Sequence, residues 1–271
     1  MQSGGKRWLG LLLCGICGSF TAAEAVAQSV VEGVAQSVVK SVVKKCPVQI
    51  RLPYNSNWLP YIKVTDETIT GSDIELIRQV MQDVGSELVL LSMPESRALN
   101  DLESGKVDLL FGASYTDARA QFAWFSKPYR HEVDVVIVHP MVLQRYPELT
   151  SKTAFFDLAR RKLIGTFNPK GFYGAQFEQL KQLEVVQHRS VAIFDAEQRM
   201  ALVLSQRADF TLVDEASIRL SFDEQPMYQQ LQILPFELYR ADIHLMLSKK
   251  TIDATCVEQI NQSLNKIRGR S

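Results

Sequence analysis

From Val48 onward the chain switches repeatedly between two hydrophobic periods. Residues 48–52 are strand-like. Residues 73–84 place Ile74, Ile77, Val80, Met81 and Val84 at helical spacing, and residues 88–91 return to a strand pattern. Together they predict a βαβ unit. Gly71 and Ser72 mark the entry to its helix, and Gly85 sits where a C-terminal glycine cap belongs. A second helix is predicted from about Arg97 to residue 104, ended by Gly105, with residues 109–111 and 133–138 as the next buried strands. The second half repeats the plan: strand 163–167, helix 174–183, strand 185–187, helix 192–206 and strand 210–213. A strand at 243–247 and a helix at about 252–267 follow. Two successive α/β halves with separate cores predict two lobes, each a mixed sheet flanked by helices. A cleft between such lobes is a usual seat for a small ligand.

The N-terminal stretch has a different pattern. Lys6 and Arg7 precede an apolar run over residues 8–20, followed by the small-residue stretch Thr21, Ala22, Ala23, Glu24, Ala25, Val26, Ala27. That order reads as a secretory signal peptide over residues 1–27, with cleavage after Ala25 or Ala27. The run is well short of the roughly 20 residues a spanning helix needs, so the expected location is outside the cytoplasm, in the periplasm. Cys14 and Cys17 lie inside the run. They follow Leu13 and Ile16, not the small residues that precede a lipid-modified cysteine. Residues 28–45 form a repetitive linker in which VAQSVV, at 26–31, recurs at 34–39. It reads as a tether, with a short docking helix as the other reading. Beyond the leader only Cys46 and Cys256 remain, an even pair in an oxidising compartment: either one disulfide or two buried thiols.

Thirty Lys and Arg balance thirty Asp and Glu, so net charge offers no electrostatic argument for nucleic acid or an anionic membrane. His131, His139, His188 and His244 are scattered, without HExxH or another short ligand spacing, and no metal or cofactor is expected. GxSxG, GxxxxGK[ST] and GxGxxG are all absent, which removes the usual signatures of acyl transfer, nucleotide hydrolysis and dinucleotide chemistry. The chemistry-bearing stretch is instead Gly112, Ala113, Ser114, Tyr115, Thr116, Asp117, Ala118, Arg119, directly after a predicted strand. Ser114 and Thr116 are neutral donors, and Arg119 carries a rigid guanidinium fork that grips a carboxylate bidentately. The alternative reading of Arg119 is a solvated or structural ion pair.

The surroundings of this stretch resemble the bacterial extracellular solute-binding proteins of family 3, the periplasmic binding components of polar amino-acid ABC transporters. The run LESGKVDLLFGASYTDARAQFAWFSKPYR from Leu102 to Arg130 is similar to the family's L-x-x-G-x-x-D strand, T-x-x-R turn and F-S-x-P-Y segment. Trp58, Pro60 and Tyr61 resemble its aromatic-Pro-aromatic group, and Gly71, Asp73 and Leu76 its G-x-D-x-x-L helix entry. SQRADFTLVDEAS, from Ser205 to Ser217, resembles the second-lobe strand that ends on an acid.

The resemblance implies a periplasmic-binding-protein-like fold, with lobe 1 built from residues 46–135 and 240–271 and lobe 2 from 136–239. Closure would bend hinges near residues 127–135 and 239–243. Arg119 would hold a ligand carboxylate, helped by Ser114, Thr116 and the main chain at Gly112, and Asp214 would accept an ammonium. Trp58 would cover the ligand, and the turn containing Asn168, Pro169, Lys170 and Gly171 would offer main-chain N–H groups. Trp58 as a core plug and Asp214 as a helix cap remain open. Arg97 is a candidate second contact for an anion, while Asp108 reads as structural. The turn departs from the family's Gly/Ser/Thr-rich pattern, and Gly112 replaces a frequent hydroxyl residue.

The implied role is a monomeric, non-enzymatic binder of an amino acid or related carboxylate that delivers it to a membrane permease. A dehydratase-like enzyme on the same fold, using Glu95 or Glu197, and a sensory partner are the rivals.

Overall fold

The computed structural model describes residues 46–269. The predicted leader with Cys14 and Cys17, and the repetitive linker, lie outside the described residues. The first lobe opens with β1 (Gln49–Tyr54), a small hairpin of β2 (Lys63–Val64) and β3 (Ile69–Thr70), helix α1 (Ser72–Val84) and β4 (Glu87–Ser92). β1 and β4 pair in parallel with α1 as the crossover, which is the predicted βαβ unit. Helix α1 buries Ile74, Ile77, Val80 and Met81 against Ile50 and Leu52 of β1. Each such side chain contributes about 1.5–3 kcal/mol on burial. The helix stops at Gly85, whose left-handed φ of 75° lets its own N–H and that of Ser86 reach the carbonyls of Gln82 and Met81. Helix α2 (Glu95–Ser104), β5 (Leu109–Ser114), the single turn α3 (Asp117–Ala120) and β6 (Ala123–Phe125) follow.

Strand β7 (Arg130–Val138) then carries the chain into the second lobe. There it forms α4 (Pro140–Arg145), α5 (Lys152–Arg161), β8 (Gly165–Phe167), α6 (Ala175–Lys181), α7 (Glu184–Arg189) and β9 (Val191–Ala192). Helix α8 (Ala196–Leu204), β10 (Phe210–Asp214), α9 (Glu215–Glu224), a 3₁₀ turn (Pro226–Gln230) and β11 (Gln232–Ile233) complete it. Strand β12 (Tyr239–Ser248) returns to the first lobe, where α10 (Ala254–Arg268) packs on α1.

The larger sheet has the order β5-β12-β7-β10-β8-β9, with β6 added on β12 and β11 on β7. Residues 239–243 of β12 pair antiparallel with 134–130 of β7, while residues 246–248 pair with β6. Beyond this shared stretch, β7 pairs with β10 through residues 134–138. Two adjacent strands therefore connect the lobes. Alternate residues of β7 feed opposite layers: Val136 and Val138 enter one second-lobe core, and Val135 and Ile137 the other. The first lobe has its main core around α1, β1 and α10 and a smaller one around Leu102, Val107 and Met246. Cys46 and Cys256 form a disulfide that pins the start of the described chain to the first turn of α10. No helix among the described residues is long and apolar enough to cross a membrane.

The architecture matches the two-lobed α/β expectation, with local corrections. Residues 185–187 were expected to form a strand and instead belong to α7. Only Val186 is buried, Val185 is 52 % exposed, and the neighbouring sheet position is taken by β9. A short apolar pair carries no period of its own, so packing decides its state. The helix expected from residue 192 begins only at Ala196, because Asp195 caps it by accepting a bond from the Gln198 N–H at 2.8 Å. Helix α5, which buries Phe155, Phe156, Leu158 and Ala159, was not anticipated.

Candidate functional site

A cavity of about 330 Å³ lies between the lobes. Trp58, Gly112, Ser114 and Arg119 line it from the first lobe, and Lys170, Gly171 and Asp214 from the second. Glu132 and Asp134 of the shared strand β7 form part of its wall. Among the described residues three hydrogen bonds cross the cleft: Arg119 Nη2 to the Lys170 carbonyl at 2.7 Å, Tyr61 Oη to Asp214 Oδ2 at 2.9 Å, and Asn168 Nδ2 to Glu95 Oε1 at 2.5 Å. The lobes are thus held in a closed arrangement.

Arg119 is positioned by the one-turn helix that carries it. Thr116 caps α3 by accepting from the Arg119 N–H at 3.2 Å, so its hydroxyl serves the helix start, and Thr116 is not part of the cavity wall. The guanidinium then reaches back to the Ser114 carbonyl at 2.9 Å and across to Lys170. Burial lowers its pKa, opposed by Glu178, yet a guanidinium so placed stays charged.

Asp214 is the helix cap offered by the sequence and also lines the cavity. It ends β10, caps α9 by accepting from the Ser217 N–H at 3.0 Å and hydroxyl at 3.1 Å, and is only 6 % exposed while lining the cavity. Those bonds, and the one from Tyr61, all fall on Oδ2.

Trp58 leans on Gly112. The glycine has a φ of 66°, and a Cβ added there would lie 2.4 Å from the edge of the indole. Only a residue without a side chain suits both the backbone and the ring. Tyr61 meets the indole edge-on at 5.0 Å between centroids, and the Arg130 guanidinium lies 3.5 Å over the Tyr61 ring. Arg130 is in turn held by Asp73, Nε to Oδ1 at 3.0 Å, and by Glu132, with Nη1 2.5 Å from Oε1. Asp73 also accepts from Tyr129 Oη, which accepts from the Gly112 N–H at 3.0 Å. Gly71 makes this arrangement accessible, because a Cβ there would lie 2.4 Å from the Tyr61 carbonyl oxygen. The G-x-D helix entry is therefore a brace behind the Trp58 wall.

Not every expected contact faces the cavity. Arg97 lies on α2, but its side chain is 64 % exposed, pairs with Asp101 at 3.7 Å and is absent from the wall. The same helix presents Glu95, Ala98 and Leu99, spaced i, i+3, i+4, which turns residue 97 away. In the second-lobe turn the Lys170 N–H donates to Asn168 Oδ1 at 2.9 Å and the Gly171 N–H to the Asn168 carbonyl at 3.1 Å. Those donors are used within the turn, which reaches across the cleft through the Lys170 carbonyl and the Asn168 side chain. Asp108 binds Arg51 through both oxygens at 2.7 Å, a structural pair as expected. Glu197 is exposed and outside the wall.

Four charged wall residues, Glu132, Asp134, Asp195 and Arg199, were not singled out from the sequence. Glu132 and Asp134 are each 8 % exposed, and Asp134 stands directly opposite Asp214 in the β7–β10 register. Burial pushes the Glu132 carboxyl up to about 7, with Arg130 pulling the other way and Asp214 and Asp73 adding to the rise. Burial, then Glu132 and Asp214, also drive the Asp134 carboxyl well above its ordinary range, opposed by Arg199. Arg199, 6 % exposed on α8, donates to the carbonyls of Ile193 at 2.9 Å and Phe194 at 2.5 Å, while its Nε is unpaired. The available signals were acids inside an otherwise β-branched strand and an arginine on the buried stripe of α8.

Among curated proteins, the chain is 35 % identical over 136 residues to the probable histidine-binding protein of Campylobacter jejuni, a match spanning 48 % of this chain and 50 % of that one. The chain thus spans about half the length of that relative. Among solved structures, it resembles the arginine-, lysine-, histidine-binding protein ArtJ of Geobacillus stearothermophilus, with a TM-score of 0.68 and 18 % identity over 82 % of this chain and 90 % of that one. It likewise resembles the amino acid ABC transporter substrate-binding protein AbpA of Streptococcus pneumoniae bound to L-arginine, with a TM-score of 0.65 and 23 % identity over 82 % and 90 %. These structural likenesses concern the two-lobed fold. Residues 50–269, nearly all of the described chain, match the model of the bacterial extracellular solute-binding proteins, family 3, and the chain belongs to that family.

Proposed function

We propose that the protein captures a free α-amino acid outside the cytoplasm and presents its closed form to the membrane permease of an ABC importer. One observation carries this reading: a guanidinium from the first lobe, Arg119, and a carboxylate from the second, Asp214, line the same cavity. An α-amino acid bears the complementary pair of charges on one carbon, so a single ligand satisfies both lobes only when they are closed. Arg119 takes the α-carboxylate with its fork, aided by the Ser114 hydroxyl. Asp214 takes the α-ammonium with Oδ1, which has no hydrogen-bond partner among the described residues. Trp58 covers the ligand with its indole face.

Closure bends the two strands that join the lobes, β7 near residues 130–134 and β12 near 239–243. The ligand selects the closed form by binding it more tightly than the open one. The names of the histidine-, arginine- and lysine-binding relatives support the amino-acid class, and the family description supports a location outside the cytoplasm. Nothing in this mechanism alters the ligand chemically, so it is released intact, and one monomer suffices.

The test is a thermal-shift screen of protein beginning at about Gln28 against amino acids, polyamines, small carboxylates and sugars, repeated with Arg119→Ala. Stabilisation by one or more amino acids, lost in the variant, is expected. Absence of any shift removes the reading. A shift that survives Arg119→Ala removes the site assignment.

A further inference from the structure

The charged lining of the cavity is predominantly acidic. Glu95, Glu132, Asp134, Asp195 and Asp214 line it, against the cations Arg119, Lys170 and Arg199. Of these cations, Arg119 donates to the Ser114 and Lys170 carbonyls and is assigned to the ligand carboxylate, while Arg199 donates to the Ile193 and Phe194 carbonyls and forms no ion pair with an acid among the described residues. Among the acids, Glu132 is engaged by Arg130 and Asp214 by Tyr61 and Ser217.

Asp134 differs from them. It is more than nine-tenths buried, it lines the cavity, and its carboxylate makes no hydrogen bond or ion pair among the described residues. Glu132 and Asp134 are two apart on β7 and so share one face of the sheet, and Asp134 faces Asp214 across the strand pair. Like charges directly opposite one another repel, and a buried carboxylate that has no ion-pair or hydrogen-bond partner, with Arg199 acting on it only without direct contact, is costly to ionise. The β12 residues opposite them, Ala241 by Glu132 and Tyr239 by Asp134, bring no positive charge. A ligand that supplies a cation at this point relieves both costs.

We infer that Asp134, backed by Glu132, selects amino acids whose side chain carries its own positive charge, such as a guanidinium, a primary amine or an imidazolium. This rests on the amino-acid reading above and adds to it the side-chain subsite on the hinge strand. A neutral side chain of the same shape leaves the Asp134 carboxylate without an ion-pair partner and binds weakly. Removing one partner of a buried charge pair costs about 30-fold or more in affinity.

The experiment is calorimetric titration of the exported chain with L-arginine, L-lysine and L-histidine, and with L-citrulline and L-glutamine as neutral counterparts. It is carried out on the unaltered protein and on Asp134→Asn and Glu132→Gln. The expected result is at least about 30-fold tighter binding of arginine than citrulline, reduced at least tenfold by Asp134→Asn through loss of arginine affinity while citrulline binding is kept or improved. Retained citrulline binding also reports that the variant is folded, and Glu132→Gln should reduce the same ratio less. Equal affinity for arginine and citrulline in the unaltered protein, or an arginine preference untouched by Asp134→Asn, overturns the inference while leaving the amino-acid reading intact. Failure of all five amino acids to bind the unaltered protein also overturns the inference, whereas the amino-acid reading itself falls only if no amino acid in the thermal-shift screen stabilises the protein.

Discussion

Gly112→Ala probes how the wall of the cleft is built. The residue adopts a φ of 66°, and its Cβ would lie 2.4 and 2.6 Å from two carbons of the Trp58 indole. The left-handed backbone costs a residue with a side chain about 1–2 kcal/mol. Forcing the indole from its packed position adds about 1–3 kcal/mol. The sum, about 2–5 kcal/mol, corresponds to a Tm lower by roughly 4–20 °C for a domain of this size. Gly85→Ala supplies the control. Its φ of 75° is equally left-handed, yet nothing lies within 4 Å of the added Cβ, so it isolates the backbone cost alone. Differential scanning fluorimetry should show a larger loss for Gly112→Ala than for Gly85→Ala. Titration with the best ligand from the amino-acid screen should show weakened binding only for Gly112→Ala, because Trp58 is displaced from the cavity wall. Equal Tm losses, or unimpaired ligand affinity in Gly112→Ala, would refute the claim that Gly112 exists to seat the indole.

Two further perturbations test the electrostatics and the covalent frame. Glu132 has its carboxyl raised from 4.5 to about 7, chiefly by burial. The folded state therefore binds the proton more tightly than the unfolded chain, and the associated stability, about 3 kcal/mol, is fully present below about pH 4.5 and lost as pH rises through 7. Urea unfolding of the ligand-free protein at pH 5 and pH 8 should show that loss, and Glu132→Gln should flatten it; identical pH dependence in both proteins would contradict the assignment. The Cys46–Cys256 disulfide closes a sequence separation of 210 residues, so Cys46→Ser with Cys256→Ser should cost about 2–5 kcal/mol by denaturant unfolding. An unchanged midpoint would mean that packing around α10 alone holds the chain start.

Much of the fold was legible because its strongest elements carry their own period. The stripe of α1, ended by Gly85, and the β-branched run of β7 identify themselves without knowledge of what they pack on. Elements of low intrinsic period were not legible. Val185 and Val186 are as suitable for a strand as for α7, and their state depends on sheet positions occupied from elsewhere in the chain. The candidate site divided in the same way. Trp58, Gly112, Ser114, Arg119 and Asp214 were identified from local motifs and line one cavity. Arg97 lay in the right helix, but the helical phase points it away.

The sequence by itself determined the alternation of strand and helix, the two successive α/β halves, the family signature from Leu102 to Arg130 and the pair of cysteines. All are properties of neighbours along the chain, or of composition. The tertiary structure decided which charges meet. Asp134 faces Asp214, 80 positions later in the sequence, and Arg119 donates across the cleft to a carbonyl on the other lobe. It also turned the Lys170 and Gly171 N–H groups inward. Strand register, helical phase and burial set those relationships, and each depends on contacts between segments that no local pattern encodes.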